Sequence, residues 1–191
     1  NDNGIKALTL VKDLVDAGSM SKEVINWTQG DVMNQFISGN IAMMVNGPWQ
    51  VPTMREQAPD LNWDVTLLPK DAEYASCLGG ENFGVIDGDN VDAALDFLQF
   101  ATSKDEVASY IDDFGYIAAR KDVAEGQFTD DETMQKFTEE MQYAQPRGPH
   151  AQWPEISDAL SLAVNESITG TSTPADAAAK AQSTIDGILA E

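Results

Sequence analysis

Apolar residues recur at helical spacing along most of this chain, in short segments that a glycine or proline soon cuts off, and that punctuation limits the fold more than any other feature. Ile5, Leu8, Val11, Leu14 and Val15 mark one face of a helix over residues 4–17, which Gly18 closes. Val32, Met33, Phe36 and Ile37 mark a second, shorter helix that ends at Gly39. A continuous apolar run over 41–45 then reads as a buried strand and stops at the turn Asn46-Gly47-Pro48. Pro52 is tolerated only in the first turn of a helix, so a helix is expected from near Trp49 to about Gln57. Residues 64–68 read as another strand, closed by Pro69, and 77–86 as an extended stretch loosened by Gly79, Gly80 and Gly84.

Beyond that point helices dominate. Asn90 is placed to cap a helix carrying Ala94, Leu95, Phe97 and Leu98. Ser103-Lys104-Asp105-Glu106 and Thr129-Asp130-Asp131-Glu132 have the spacing of capping boxes, in which a hydroxyl and a carboxylate three residues later satisfy each other's backbone N–H groups. Pro154 opens a helix with Ile156, Leu160, Ala163 and Val164 that Gly170 stops, and Thr173-Pro174 opens a last, alanine-rich one. No internal repeat interrupts the pattern. The expectation is an α/β (or α+β) domain, helix-rich with a small central sheet.

At 191 residues the chain fits one ordinary domain or a lopsided pair. It opens on Asn1 and shows no signal peptide, so it reads as a processed product or an excised piece. Thirty-two Asp and Glu against 11 Lys and Arg leave a net charge of −21, a field that repels nucleic acid and anionic membrane surfaces alike. These carboxylates are spread along the chain, as expected for a solvated surface. One cysteine and one histidine, Cys77 and His150, exclude an intrachain disulfide and a zinc site of the usual spacing, so no metal and no cofactor is expected. Cys77, at an apolar-to-glycine transition, reads as a buried small residue.

Catalytic motifs are missing: there is no nucleophile elbow, P-loop or dinucleotide fingerprint, and no catalytic residue is assigned. Asp87-Gly88-Asp89-Asn90 reads as a turn and helix cap, since Val91 fills the third ligand slot of a calcium loop. Three loops, however, carry what a sugar requires. Pyranose rings stack an apolar face on an aromatic ring, and their hydroxyls take planar polar partners. Trp49 follows Gly47-Pro48 at a strand-to-helix corner; Glu81 and Asn82 follow a glycine pair; Arg147 and Trp153 stand in the proline-rich loop 145–154. Trp63 is left to the core, and Trp27 fits either role.

Phe36-Ile37-Ser38-Gly39-Asn40-Ile41-Ala42-Met43-Met44-Val45-Asn46-Gly47-Pro48-Trp49 resembles the signature of family 1 extracellular solute-binding proteins, the maltose-binding-protein-like sugar-binding subunits of ABC importers. In that family the F-x-x-G-x-x-A-M run is a helix end and strand, and the tryptophan after it stacks on ligand, a role the resemblance extends to Trp49. The match continues through Val65-Thr66-Leu67-Leu68-Pro69, Gly79-Gly80, the helices over 93–101 and 103–106, the loop and helix over 149–160, and the alanine-rich end. Ala118 stands where the family often has proline after Gly115, and members are usually about twice this long, so the likeness is to their C-terminal half.

The resemblance implies a periplasmic-binding-protein type II-like lobe, with residues from about 83 to 119 crossing to the other lobe of a full-length member. It implies a binding protein that captures a sugar, an oligosaccharide above all, and delivers it to the permease subunits of an ABC transporter. The parent would be exported to the extracellular face or periplasm, with a lipid anchor as one means of retention. An uncovered lobe interface would favour self-association of the piece. Two other classes stay open: a carbohydrate-active hydrolase using Glu81, and an acidic domain that only binds partners.

Overall fold

A computed structural model describes residues 1–190 of the chain. In order, these form α1 (Asp2–Asp16), a 3-10 turn (Lys22–Asn26), α2 (Gln29–Ile37), α3 (Gln50–Gln57), β1 (Ser76–Leu78), α4 (Val91–Ala101), α5 (Lys104–Tyr110), a 3-10 turn (Asp112–Phe114), α6 (Lys121–Ala124), α7 (Glu132–Glu140), a 3-10 turn (Met141–Tyr143), β2 (Ala144–Pro146), α8 (Trp153–Thr169) and α9 (Pro174–Leu189). Helices predominate and the sheet is small, as the periodicity implies. The chain divides into two compact units, Asn1–Thr28 with Gly148–Glu191, and Gln29–Arg147.

In the first unit α1, α8 and α9 pack on one another. Their ends follow the local chemistry. Asn1 caps α1 by accepting from the Gly4 N–H at 3.0 Å, and Gly18 and Gly170 turn the chain away in left-handed conformations at φ 72° and 76°. Thr173 Oγ1 accepts from the Asp176 N–H at 3.1 Å, with Pro174 in the first turn behind it. Ala163, Ala177 and Ala181 are buried together with Leu8 against them, so small side chains let α8 and α9 approach closely. Ser167, buried in α8, donates to the Ala163 carbonyl at 2.7 Å and leaves no unsatisfied hydroxyl.

The second unit holds the rest. Val51 and Met54 of α3 are 2% and 1% exposed, and Met134 of α7 is 2% exposed. Val107 of α5, Ala118 and Val123 of α6 form a separate buried cluster, flanked by Tyr110 and Ile111. Arg55 of α3 reaches Asp131 at the start of α7 with two hydrogen bonds of 2.7 and 2.9 Å. β1 and β2 pair in parallel, Ser76 opposite Ala144 and Leu78 opposite Pro146. Just before the two strands, Tyr74 and Tyr143 stack with centroids 4.8 Å apart, and Lys70 Nζ lies 4.6 Å from the Tyr74 ring centroid.

Several local expectations are corrected. Residues 41–45 are not a strand: among the described residues they join no sheet, and Met43 and Val45 are 86% and 75% exposed. Residues 64–68 are likewise irregular, with the Leu68 N–H donating to Glu140 Oε2 at 3.2 Å instead of to a ladder. Of the extended stretch 77–86, only Cys77 and Leu78 fall in a strand. An apolar run specifies that a segment seeks cover; a strand also needs a neighbour in register, which a single segment does not encode. The two capping boxes fail for a different reason. Ser103 occupies the cap position of α5 without a side-chain bond, and α7 is capped by Asp131, which accepts from the Met134 N–H at 3.1 Å, two residues after the expected threonine. Cys77 is exposed, because β1 has a neighbour on one side only and lies at the surface. Trp63 is half-buried in an irregular segment instead of forming core.

Candidate functional site

Trp49 stands at the cap position of α3, placed there by the turn before it. The Gly47 N–H donates to Asn46 Oδ1 at 3.0 Å, and Asn46 Nδ2 donates to the Gln29 carbonyl at 2.9 Å, which ties the corner to the start of α2. The indole then folds back over Gly47. A Cβ at that glycine would lie 2.1 Å from Trp49 Cη2, so no other residue fits beneath the ring. The ring is half-buried, neither core nor free in solvent.

A second loop meets this corner. Gly115, at φ 66°, comes so close that a Cβ there would sit 2.8 Å from both the Pro48 carbonyl and Pro52 Cδ. The close approach carries Tyr116 to Trp49, with ring centroids 6.1 Å apart and planes inclined at 36°. Phe114 continues the series at 6.5 Å from Tyr116, and Tyr110 at 6.3 Å from Phe114. Phe114 is exposed and Tyr116 half-buried. None of these three aromatic residues is among the sugar-binding candidates read from the sequence. The signal that could have found two of them is the triplet Phe114-Gly115-Tyr116, two aromatics around a glycine just past a helical pattern.

The other candidates fall in two places. β1 and β2 are parallel, so both chains leave the sheet at the same end: Arg147 directly after Pro146, and Glu81-Asn82 just beyond Leu78. All three side chains are exposed there. The carboxyl end of parallel strands is a common place for ligands, since loops diverge there and leave backbone groups unpaired. Glu81 is exposed and has no apolar enclosure around it of the kind that surrounds a glycosidase acid. Trp153 lies in the other unit as the first residue of α8, half-buried, its N–H donating to the His150 carbonyl at 3.0 Å.

Two arginine–aspartate ion pairs lie in the same unit as Trp49. Hydrogen bonding to Arg55 holds the Asp131 carboxyl below the usual range and raises the Arg55 guanidinium. Arg120, raised by its hydrogen bond to Asp122, also donates to the Thr102 carbonyl at 3.2 Å. Among the described residues no group of three or more His, Cys, Asp and Glu could hold a metal ion, and no helix is long and apolar enough to cross a membrane.

Relatives from Brucella abortus (strain 2308) and Brucella suis biovar 1 (strain 1330), provisionally named binding proteins, are 28% identical over 185 residues, covering 93% of this chain. The chain spans 45% of their length. The solved structure of CpMnBP1 with mannobiose bound superposes with a TM-score of 0.70 at 21% identity, over 96% of this chain and 49% of that one. The helix-rich α/β fold with its small sheet is therefore one shared with about half of that structure. A family model described as bacterial extracellular solute-binding protein matches residues 1–136, a stretch that includes both the Trp49 corner and the Tyr116 loop; this chain belongs to that family.

Proposed function

We propose that the chain is the C-terminal portion of a two-lobed carbohydrate-binding subunit, which captures an oligosaccharide and delivers it to the permease of an ABC transporter. The observation that carries this reading is the Trp49 corner: a half-buried indole, seated on a glycine and inclined against Tyr116, offers a flat apolar surface of the kind a pyranose face covers. Glu81, Asn82 and Arg147, at one end of the sheet, supply hydroxyl-reading groups. Trp153, the first residue of α8, is a further aromatic candidate within its own unit. The protein does no bond chemistry in this reading; it binds, closes and releases.

Residues from about 83 to 119 belong to the other lobe of the full-length protein. In support, α4 buries none of its residues, although Leu95, Phe97 and Phe100 are apolar. The parent is exported and acts at the extracellular face or in the periplasm, with a lipid anchor as one means of retention. Mannobiose, the ligand of the similar solved structure, is the first disaccharide to try. Calorimetric titration of the full-length protein with mannobiose, maltose and cellobiose is the direct test. Saturable binding without hydrolysis is the expected result. Hydrolysis, or no heat from any oligosaccharide, sinks the proposal.

A further inference from the structure

The Tyr116 loop is held by one side chain, and we infer that Gln127 is the positioning residue that sets Tyr116 against Trp49. Gln127 Oε1 accepts from the Ala118 N–H at 2.7 Å, while its Nε2 donates to the Tyr116 carbonyl at 3.1 Å and to Asp112 Oδ1 at 2.6 Å. These partners bracket Tyr116 on both sides. The Ala118 N–H can only donate and the Tyr116 carbonyl can only accept, so the orientation of the amide is determined by its surroundings. The Tyr116 and Gly115 N–H groups bond back to the Ile111 and Asp112 carbonyls at 3.3 and 2.9 Å, so the loop backbone is braced over its whole length.

A second, independent feature points the same way. Phe128, the next residue, is in a left-handed conformation at φ 56°, a state that costs a non-glycine residue free energy. The strained turn is itself held: Gln135 Nε2 donates to the Phe128 and Thr129 carbonyls at 3.1 and 2.7 Å. The turn from Gln127 into α7 is thus kept in a disfavoured shape, and that shape is the one that aims the Gln127 amide at the loop carrying Tyr116. Gln127 acts through Tyr116; it is not placed in contact with ligand.

The inference rests on the carbohydrate reading above, so its test has one arm that needs no ligand. In the full-length protein, the Trp49 contribution to near-ultraviolet circular dichroism is obtained as the difference from Trp49→Phe. Gln127→Met removes all three hydrogen bonds at nearly constant length, and Gln127→Glu keeps the acceptor but replaces the donor with a carboxylate oxygen facing a carbonyl and a carboxylate. Both are expected to reduce that contribution, Gln127→Glu more. Mannobiose affinity is expected to fall about tenfold in Gln127→Met, the scale of losing the two bonds to the Tyr116 and Ala118 backbone. In a Tyr116→Ala background the same substitution is expected to change affinity by less than about twofold, since nothing remains to be positioned. An unchanged Trp49 signal in Gln127→Met overturns the inference, and so does an equal affinity loss with and without Tyr116. Should the wild-type protein not bind mannobiose, that ligand fails for the reading above while the dichroism arm alone decides Gln127; if Gln127→Glu does not fold, Gln127→Met carries both arms.

Discussion

Two glycines and one tryptophan define the candidate site, and each glycine is required for a different reason. Gly47 makes room: its missing Cβ is where the indole lies. Gly115 both makes room, against Pro48 and Pro52, and adopts a left-handed φ of 66°. Gly115→Ala therefore combines backbone strain with a clash against a carbonyl that cannot swing away. The expected loss is about 2–4 kcal/mol of folding stability, measured by urea denaturation, with the aromatic pair disturbed in whatever still folds. Trp49→Ala separates binding from packing. As a stacking surface, the ring should cost the full-length protein about 1–3 kcal/mol of oligosaccharide affinity when removed, and proportionately less stability. An affinity equal to that of the wild type, with a large drop in melting temperature, would make Trp49 a packing residue.

At the scale of the element, α7 shows how one carboxylate serves two purposes. Asp131 caps the helix through the Met134 N–H and also forms a two-pronged pair with Arg55 of α3. The pair lowers the Asp131 carboxyl, chiefly through the hydrogen bond from Arg55. A carboxylate whose folded pKa lies below its unfolded one contributes stability that is fully present above the unfolded value of about 3.9, and is lost as pH falls through the folded value. Asp131→Asn keeps a cap acceptor and removes the charge. We expect it to cost about 0.5–1 kcal/mol at pH 7, since both side chains are partly solvated. Wild type and variant should converge as pH drops below the ordinary carboxylate range. Urea midpoints at pH 7 and at pH about 2.5 provide the check; a difference that persists in acid would assign the loss to the cap alone. In the other unit, α8 and α9 meet through alanines, so Ala177→Leu should overpack that contact by about 1–3 kcal/mol, read from the same midpoints.

For the molecule as a whole, the uncovered apolar surface matters most. Phe83 and Ile86 are 65% and 91% exposed, and with Ala94, Phe97 and Leu98 they border a groove of about 480 Å³. By itself the chain should associate through this face, opposed by its net charge of −21. Sedimentation should therefore show a monomer at low salt and larger species at high salt, where a Debye length of about 3 Å at 1 M no longer lets the charges repel. A monomer at both salts that also fails to bind a hydrophobic dye would show this face to be inert. Helix placement was legible in the amino-acid order, because it depends on spacing within a segment: Gly18, Gly39, Gly170, Thr173 and Pro174 end or begin helices where their local chemistry says they should. Trp49 and its glycine turn were legible for the same reason. The strands were not, since residues 41–45 and 64–68 carry the composition of a strand but no information about a partner. Nor were Tyr116 and Gln127, which lie 67 and 78 positions beyond Trp49. Only the tertiary fold, through the contact of Gly115 with Pro48 and Pro52, puts these loops together, because a long-range contact depends on how distant segments pack and no local pattern records it.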